Sequence, residues 1–212
     1  LTDDQGWRIE IKKYPKLIEI GSKRDETLTG HARFAGKNPK FDGIPHEGHY
    51  TQEEIKEIIE YAEERYVEVI PEIDMPGHTA SLIASYPELG TSKEKINVKK
   101  IWGVQDDILI PNENTFNFLE NIISEVVTLF PSEYIHIGGD EARKKQWIES
   151  DEVQSIMRDL EIHDEDSLQT YFISKVQKII SKFDRKIIGW DEIIEGGLVK
   201  DATVMSWRGE EG

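Results

Sequence analysis

Short apolar runs alternate with longer amphipathic ones along the chain. Residues 66–73 (YVEVIPEI), 134–137 (YIHI), 186–190 (KIIGW) and 202–207 (ATVMSW) are four to eight residues long and carry Val and Ile in near-continuous apolar runs. That pattern predicts buried strands. Between them the apolar positions recur every three or four residues. Residues 51–65 open with Thr51 and carry Glu54 three positions on, a capping box, and then place Ile55, Ile58 and Ile59 on one face. Residues 114–130 and 167–183 repeat the spacing, so three helices are predicted.

Strands alternating with helices of this length imply repeated βα units on a parallel sheet. Residues able to do chemistry follow each strand: IDMPGH, GGDE, WDE and WRG in turn. A (β/α)8 barrel builds its site from the loops at the carboxyl ends of its strands, so the distribution favours an α/β TIM barrel. A doubly wound sheet is the alternative, and it would need a crevice at one switch point. At 212 residues the chain is expected to be one domain. The Gly- and Pro-rich stretch 21–48 is expected to be a long active-site loop.

Charge and composition narrow the ligand class. With 26 basic against 42 acidic residues the net charge is −16, which argues against nucleic acid and anionic membranes as partners. Eighteen consecutive apolar residues occur nowhere, so no membrane span is expected. The absence of cysteine excludes disulfides and thiolate chemistry.

The chemistry concentrates in HIGGDE, His136 to Glu141. Two glycines after a buried strand let the backbone turn tightly and present Asp140 and Glu141 at the strand end. A retaining glycosidase of the usual kind needs carboxyl groups about 5 to 5.5 Å apart across the scissile bond, and an inverting one needs them farther apart. Adjacent residues serve that poorly. They are better placed to act from one side, one as general acid and the other supporting a different substrate group, so that the substrate supplies its own nucleophile.

Other readings of the same residues stand beside this one. His78, His136, Asp74, Asp140 and Glu141 together offer metal donors, although no HxH or HExxH spacing occurs, and no metal or other cofactor is expected. A sugar-binding protein with a degenerate site is a further alternative. Asp74 is a turn cap or a supporting residue, and His136 is expected to order the loop. Trp190 and Trp207 end two strands beside polar residues, which suggests an aromatic wall for the C–H face of a sugar. Asp191 and Glu192 follow at once, to bind sugar hydroxyls or to cap the next helix. Trp7 and Arg8 are expected to serve packing.

Five separated runs carry a resemblance: LTDDQGWRIEIKKYPKL from Leu1, VIPEIDMPGH from Val69, YIHIGGDE from Tyr134, GWDE from Gly189 and VMSW from Val204. In order and spacing they resemble glycoside hydrolase family 20, the β-N-acetylhexosaminidases. The resemblance implies an exported, exo-acting enzyme that removes terminal N-acetylglucosamine or N-acetylgalactosamine from an oligosaccharide or glycoconjugate. It implies retention of configuration, the 2-acetamido oxygen attacking its own anomeric carbon. Glu141 then matches the general acid/base, and Asp140 the residue that holds the acetamido N–H. His78 and Asp3 match a pair hydrogen-bonded to the acid/base residue, and Asp74 lies near Asp140. Trp190 and Trp207 match pocket tryptophans. Against the family pattern the chain holds about strands two to six of the barrel, so an open barrel edge is expected.

Overall fold

The computed structural model describes residues 1–36, 38–92 and 94–209. In chain order its elements are β1 (Thr2–Asp3), β2 (Gly6–Trp7), α1 (Lys16–Glu19), β3 (Lys23–Arg24), β4 (His46–Glu47), α2 (Gln52–Glu63), α3 (Ala80–Ser85), α4 (Glu113–Leu129), β5 (Tyr134–His136), α5 (Lys145–Glu149), α6 (Asp151–Asp159), α7 (Glu165–Ser181), β6 (Lys186–Trp190) and β7 (Thr203–Met205). The three predicted helices form within two residues of the expected bounds, because their caps are written in the sequence. Thr51 accepts from Glu54 N–H while Glu54 reaches back to Thr51. Asn112 caps α4 and Asp164 caps α7 through the backbone N–H groups of Thr115 and Ser167.

The β5, β6 and β7 strands form a parallel sheet in that order, with Ile135 opposite Ile187 and Ile188 opposite Thr203. The predicted strand 66–73 is a correction. Its first half does not enter the sheet: Tyr66 takes a φ of 58° to end the α2 turn, and Tyr66 and Val67 are exposed. Pro71 supplies no N–H, so regular pairing cannot begin before it. The second half does run beside β5, where Ile73 N–H donates to His136 O, His136 N–H to Pro71 O and Met75 N–H to Ile137 O. Beyond it the Leu1 ammonium donates to Glu72 O and Asp74 N–H to the Thr2 hydroxyl. Five segments therefore lie side by side: 1–3, 71–75, 134–139, 186–190 and 203–205.

Helices α2, α4 and α7 cover this sheet. Their buried positions, among them Ile55, Ile59, Leu119, Ile123, Val126, Phe172, Val176 and Ile180, join Trp7, Ile9 and Ile135 in the main core. Each such side chain contributes roughly 1.5–3 kcal/mol by leaving water. Trp7 and Arg8 serve packing as expected: Trp7 is buried, and Arg8 ties together the carbonyls of Gln5, Ser22 and Gly48. A second cluster around Trp147, Ile110 and Leu168 lies under the segment that follows Glu141, and Trp147 Nε1–H anchors it to Leu109 O. The short helices α3, α5 and α6 were not expected from periodicity.

Candidate active site

The turn after β5 is built by its glycines. Gly138 and Gly139 have φ of 64° and 95°, and a Cβ at Gly138 would collide with Asp74 Oδ1, at Gly139 with Ile193 Cγ2. Gly139 N–H donates to Asp74 Oδ1 at 3.2 Å, and Gln169 holds Gly139 O at 2.8 Å. The chain leaves this turn with Glu141 also in the left-handed region, φ 47°. Asp140 and Glu141 are thereby delivered to the carboxyl end of the sheet.

His78 stands between four carboxylates. Its Nδ1 is 3.2 Å from Asp4 Oδ2 and 3.5 Å from Asp3 Oδ1, while its Nε2 is 3.4 Å from Glu141 Oε2 and 3.7 Å from Asp140 Oδ2. Burial opposes its protonation, but the hydrogen bonds of Asp3 and Asp4 and the charges of Asp74 and Asp4 outweigh that and lift its pKa to about 11. Asp4 is wholly buried and also accepts from Ala80 N–H at 2.9 Å. Burial, with the charge of Asp140 added, pushes the Asp74 carboxyl well above the usual range against the pull of His78. Burial raises Asp140 too, again opposed by His78. The Oδ1 atom of Asp140 is buried and has no hydrogen-bond partner among the described residues.

A second group forms the wall opposite. Glu72 Oε1 accepts from Trp190 Nε1–H at 3.1 Å and lies 3.0 Å from His136 Nδ1, and the His136 contact holds the Glu72 carboxyl below the usual range. The His136 ring packs edge-on to Trp190 at 4.8 Å. Trp207 donates Nε1–H to Glu192 Oε2 at 2.9 Å and its backbone N–H to Asp191 Oδ1 at 3.2 Å. Asp191 is fully buried. That burial opposes its ionisation, and Arg208 together with the Trp207 N–H overcomes it and keeps the carboxyl low. Asp191 and Glu192 thus hold the Trp207–Arg208 segment.

Between the two groups opens a cavity of about 380 Å³ lined by Thr2, Asp3, Glu72, Asp74, His78, Asp140, Glu141, Trp190 and Trp207. Seven residues singled out by the sequence meet there. His136, Asp191 and Glu192 are outside the lining and brace it from behind. Sequence reasoning missed Asp4, which it passed over for Asp3, and Glu72, an acid in an apolar run. None of the described residues of 21–48 lines the cavity, which corrects the expected active-site loop; β3 and β4 tie that stretch into a ribbon of its own. Among the described residues two donor sets have the reach of a metal site, Asp3–Asp4–His78 and Asp74–His78–Asp140, and His78 is common to both. A cation would have to displace the proton that these carboxylates hold on the imidazole.

The model of the glycosyl hydrolase family 20 catalytic domain matches residues 1–212. The chain belongs to that family. It is 46% identical to a beta-hexosaminidase of Porphyromonas gingivalis over all of this chain and 26% of the relative, and 38% identical to one of Vibrio furnissii over all of this chain and 34% of that protein. Among solved structures it is similar to a beta-N-acetylhexosaminidase at TM-score 0.88 and 33% identity, over 98% of this chain and 42% of that one. It is also similar to the Flavobacterium johnsoniae chitobiase, at TM-score 0.83 and 38% identity over 100% and 29% of the two chains. This family 20 chain thus spans about a quarter to two fifths of the length of these relatives. The catalytic domain of family 20 is a TIM barrel in the solved neighbours, so the fold here is α/β of the barrel class and not doubly wound.

Proposed function

We propose that this chain carries the catalytic centre of an exo-acting β-N-acetylhexosaminidase that works by substrate assistance. The observation that carries the proposal is the buried Oδ1 of Asp140, which meets no donor among the described residues, beside the partly exposed carboxyl of Glu141. A buried carboxylate oxygen without a donor is costly and calls for an N–H from outside the protein. The 2-acetamido N–H of an N-acetylhexosamine supplies one, and holding it aims the acetamido carbonyl oxygen at the anomeric carbon.

In the first step that oxygen forms a bond to C1 while the C1–leaving oxygen bond breaks, and Glu141 gives its proton to the departing oxygen. The resulting oxazolinium cation faces the negative charge of Asp140. In the second step water attacks C1, its proton passes to Glu141, and the acetamide is restored with retention at C1. Trp190 and Trp207 would close on the apolar face of the ring and exclude water. Asp3, Asp74 and His136 have supporting roles through His78, the glycine turn and Glu72.

The proposal extends to the architecture: residues 1–212 are part of one (β/α)8 catalytic domain, about strands two to six, and the five adjacent segments are its arc. The direct test uses the full-length protein. Glu141→Gln should lose about 10²–10⁴ in turnover, less on substrates with very good leaving groups, and Asp140→Asn should cripple N-acetyl substrates. Equal cleavage of an analogue lacking the 2-acetamido group would sink the mechanism, and activity lost to EDTA and restored by a divalent ion would favour the metal-dependent reading.

A further inference from the structure

Outside the cavity three aromatic rings cluster at the surface. Trp102, about half exposed, meets the His31 imidazole edge-on at 4.7 Å, and His31 lies 5.4 Å from Phe34, which is 82% exposed. An indole and a phenyl left this open beside a site are a contact surface awaiting an apolar partner.

The loop that presents Trp102 is clamped to both sides of the cavity rim. On one side Lys99 N–H donates to Asp4 O and Gln5 Nε2–H to Ile101 O, next to the Asp3–His78 contact. On the other, Asp106 Oδ1 accepts from Arg143, two residues past Glu141, and Lys145 lies 3.6 Å from its second oxygen. Trp102 stands between the two clamps. His31, and Phe34 behind it, are brought to Trp102 because Leu28 N–H donates to Lys100 O, which docks the 21–48 stretch against this loop.

We propose that Trp102, joined through His31 to Phe34, is the stacking platform for the second sugar of the substrate, on the leaving-group side of the scissile bond. The inference rests on the reading of the cavity as the seat of a terminal N-acetylhexosamine. That cavity takes one ring, and the bond to be cut must face Glu141, so the remainder of the glycan leaves past the Glu141–Arg143 stretch and over the clamped loop. A pyranose presents axial C–H groups on one face, which pack on an indole, and equatorial hydroxyls at its edge. The half-exposed Arg143 and the Asp106 carboxylate stand where those hydroxyls would come. The ribbon 21–48, none of whose described residues lines the first subsite, thereby acquires a role at the second.

The test compares two substrates on the full-length protein: a β-linked N-acetylglucosamine disaccharide, and N-acetylglucosaminyl fluoride, whose leaving group is too small to reach Trp102. Trp102→Ala should raise KM for the disaccharide about fivefold with kcat within about twofold, and leave both parameters for the fluoride within about twofold. Trp102→Phe should recover most of the loss, and Phe34→Ala should give a smaller change of the same kind. An unchanged disaccharide KM, or equal changes on both substrates, would overturn the platform. An unchanged KM with a lowered melting point would identify the cluster as a packing surface for the rest of the chain. If the unsubstituted protein cleaves neither compound, the hydrolase reading fails separately, and calorimetric titration decides the platform: the disaccharide should bind more tightly than N-acetylglucosamine in a Trp102-dependent way. No such dependence, or no binding, overturns it.

Discussion

His78 Nδ1 lies 3.2 Å from Asp4 Oδ2, and Asp4 is wholly buried, whereas Asp3 reaches the same nitrogen at 3.5 Å from a half-exposed position. The buried carboxylate governs the imidazole, because solvent does not screen it and its other oxygen is fixed by Ala80 N–H. Replacing Asp4 by Asn keeps the volume and the acceptor for Ala80 but turns an N–H donor toward His78. We expect a loss of about tenfold or more in kcat and a lowered His78 pKa. Asp3→Asn should lose less than about threefold. Steady-state kinetics with an NMR titration of the His78 ring checks both, and equal effects of the two variants would refute the ranking.

The same contacts make a pH prediction. His78 has a pKa of about 11 in the folded chain against the ordinary value of 6.5 when unfolded. The folded state therefore binds the extra proton, and the contribution to stability is fully present below about pH 6.5. It declines as the pH rises above that value and is gone once the pH passes the folded pKa. A His78→Gln variant should accordingly lose less melting temperature between pH 7 and pH 10 than the parent protein. Parallel slopes over that range would show that His78 does not hold its proton.

The Thr51–Glu54 capping box, the three amphipathic helices and the parallel sheet were legible because they depend on local spacing. The HIGGDE cluster was legible because its glycines and carboxylates are contiguous. Asp4 was not, since nothing in LTDD says which acid turns inward; the β1–β2 hairpin, with Asp3 opposite Gly6, decides that. Glu72 was hidden for the same reason. Its partners His136 and Trp190 lie 64 and 118 positions away, and only the stacking of three segments brings them together. The half-strand at 66–73 misled because apolar character alone does not reveal that Pro71 and the Tyr66 turn block early pairing.

The glycine turn allows a sharper test of how the acids are delivered. A methyl group at Gly138 collides with the Asp74 carboxylate and requires a φ of 64° that L side chains rarely adopt. Gly138→Ala should destabilise the fold by about 2 kcal/mol or more and abolish turnover. Gly138→Ala combined with Asp74→Ala removes the collision but not the backbone strain. The pair should regain part of the stability and none of the activity, as denaturant melts and kinetics will show. Full additivity of the two losses would mean that Asp74 and Gly138 are not in contact.

Glu72 sets the orientation of the aromatic wall through a single oxygen. Its Oε1 takes Trp190 Nε1–H, and His136 Nδ1 approaches the same atom. His136 Nδ1 also accepts from Gly138 N–H at 3.1 Å, so the ring braces the glycine turn as well as the wall. A negatively charged acceptor fixes the Trp190 indole N–H, and a neutral one holds it less firmly. Glu72→Gln keeps one oxygen and should cost less than about fivefold in KM, with Trp190 still in place. Glu72→Leu removes the acceptor, leaves the indole N–H unsatisfied and should raise KM by about tenfold or more, with a smaller change in kcat. The intrinsic fluorescence of Trp190, isolated by comparison with Trp190→Phe, should move in the Leu variant and hold in the Gln variant. If both substitutions act on kcat and leave KM alone, Glu72 belongs with the acid/base machinery and not with the wall.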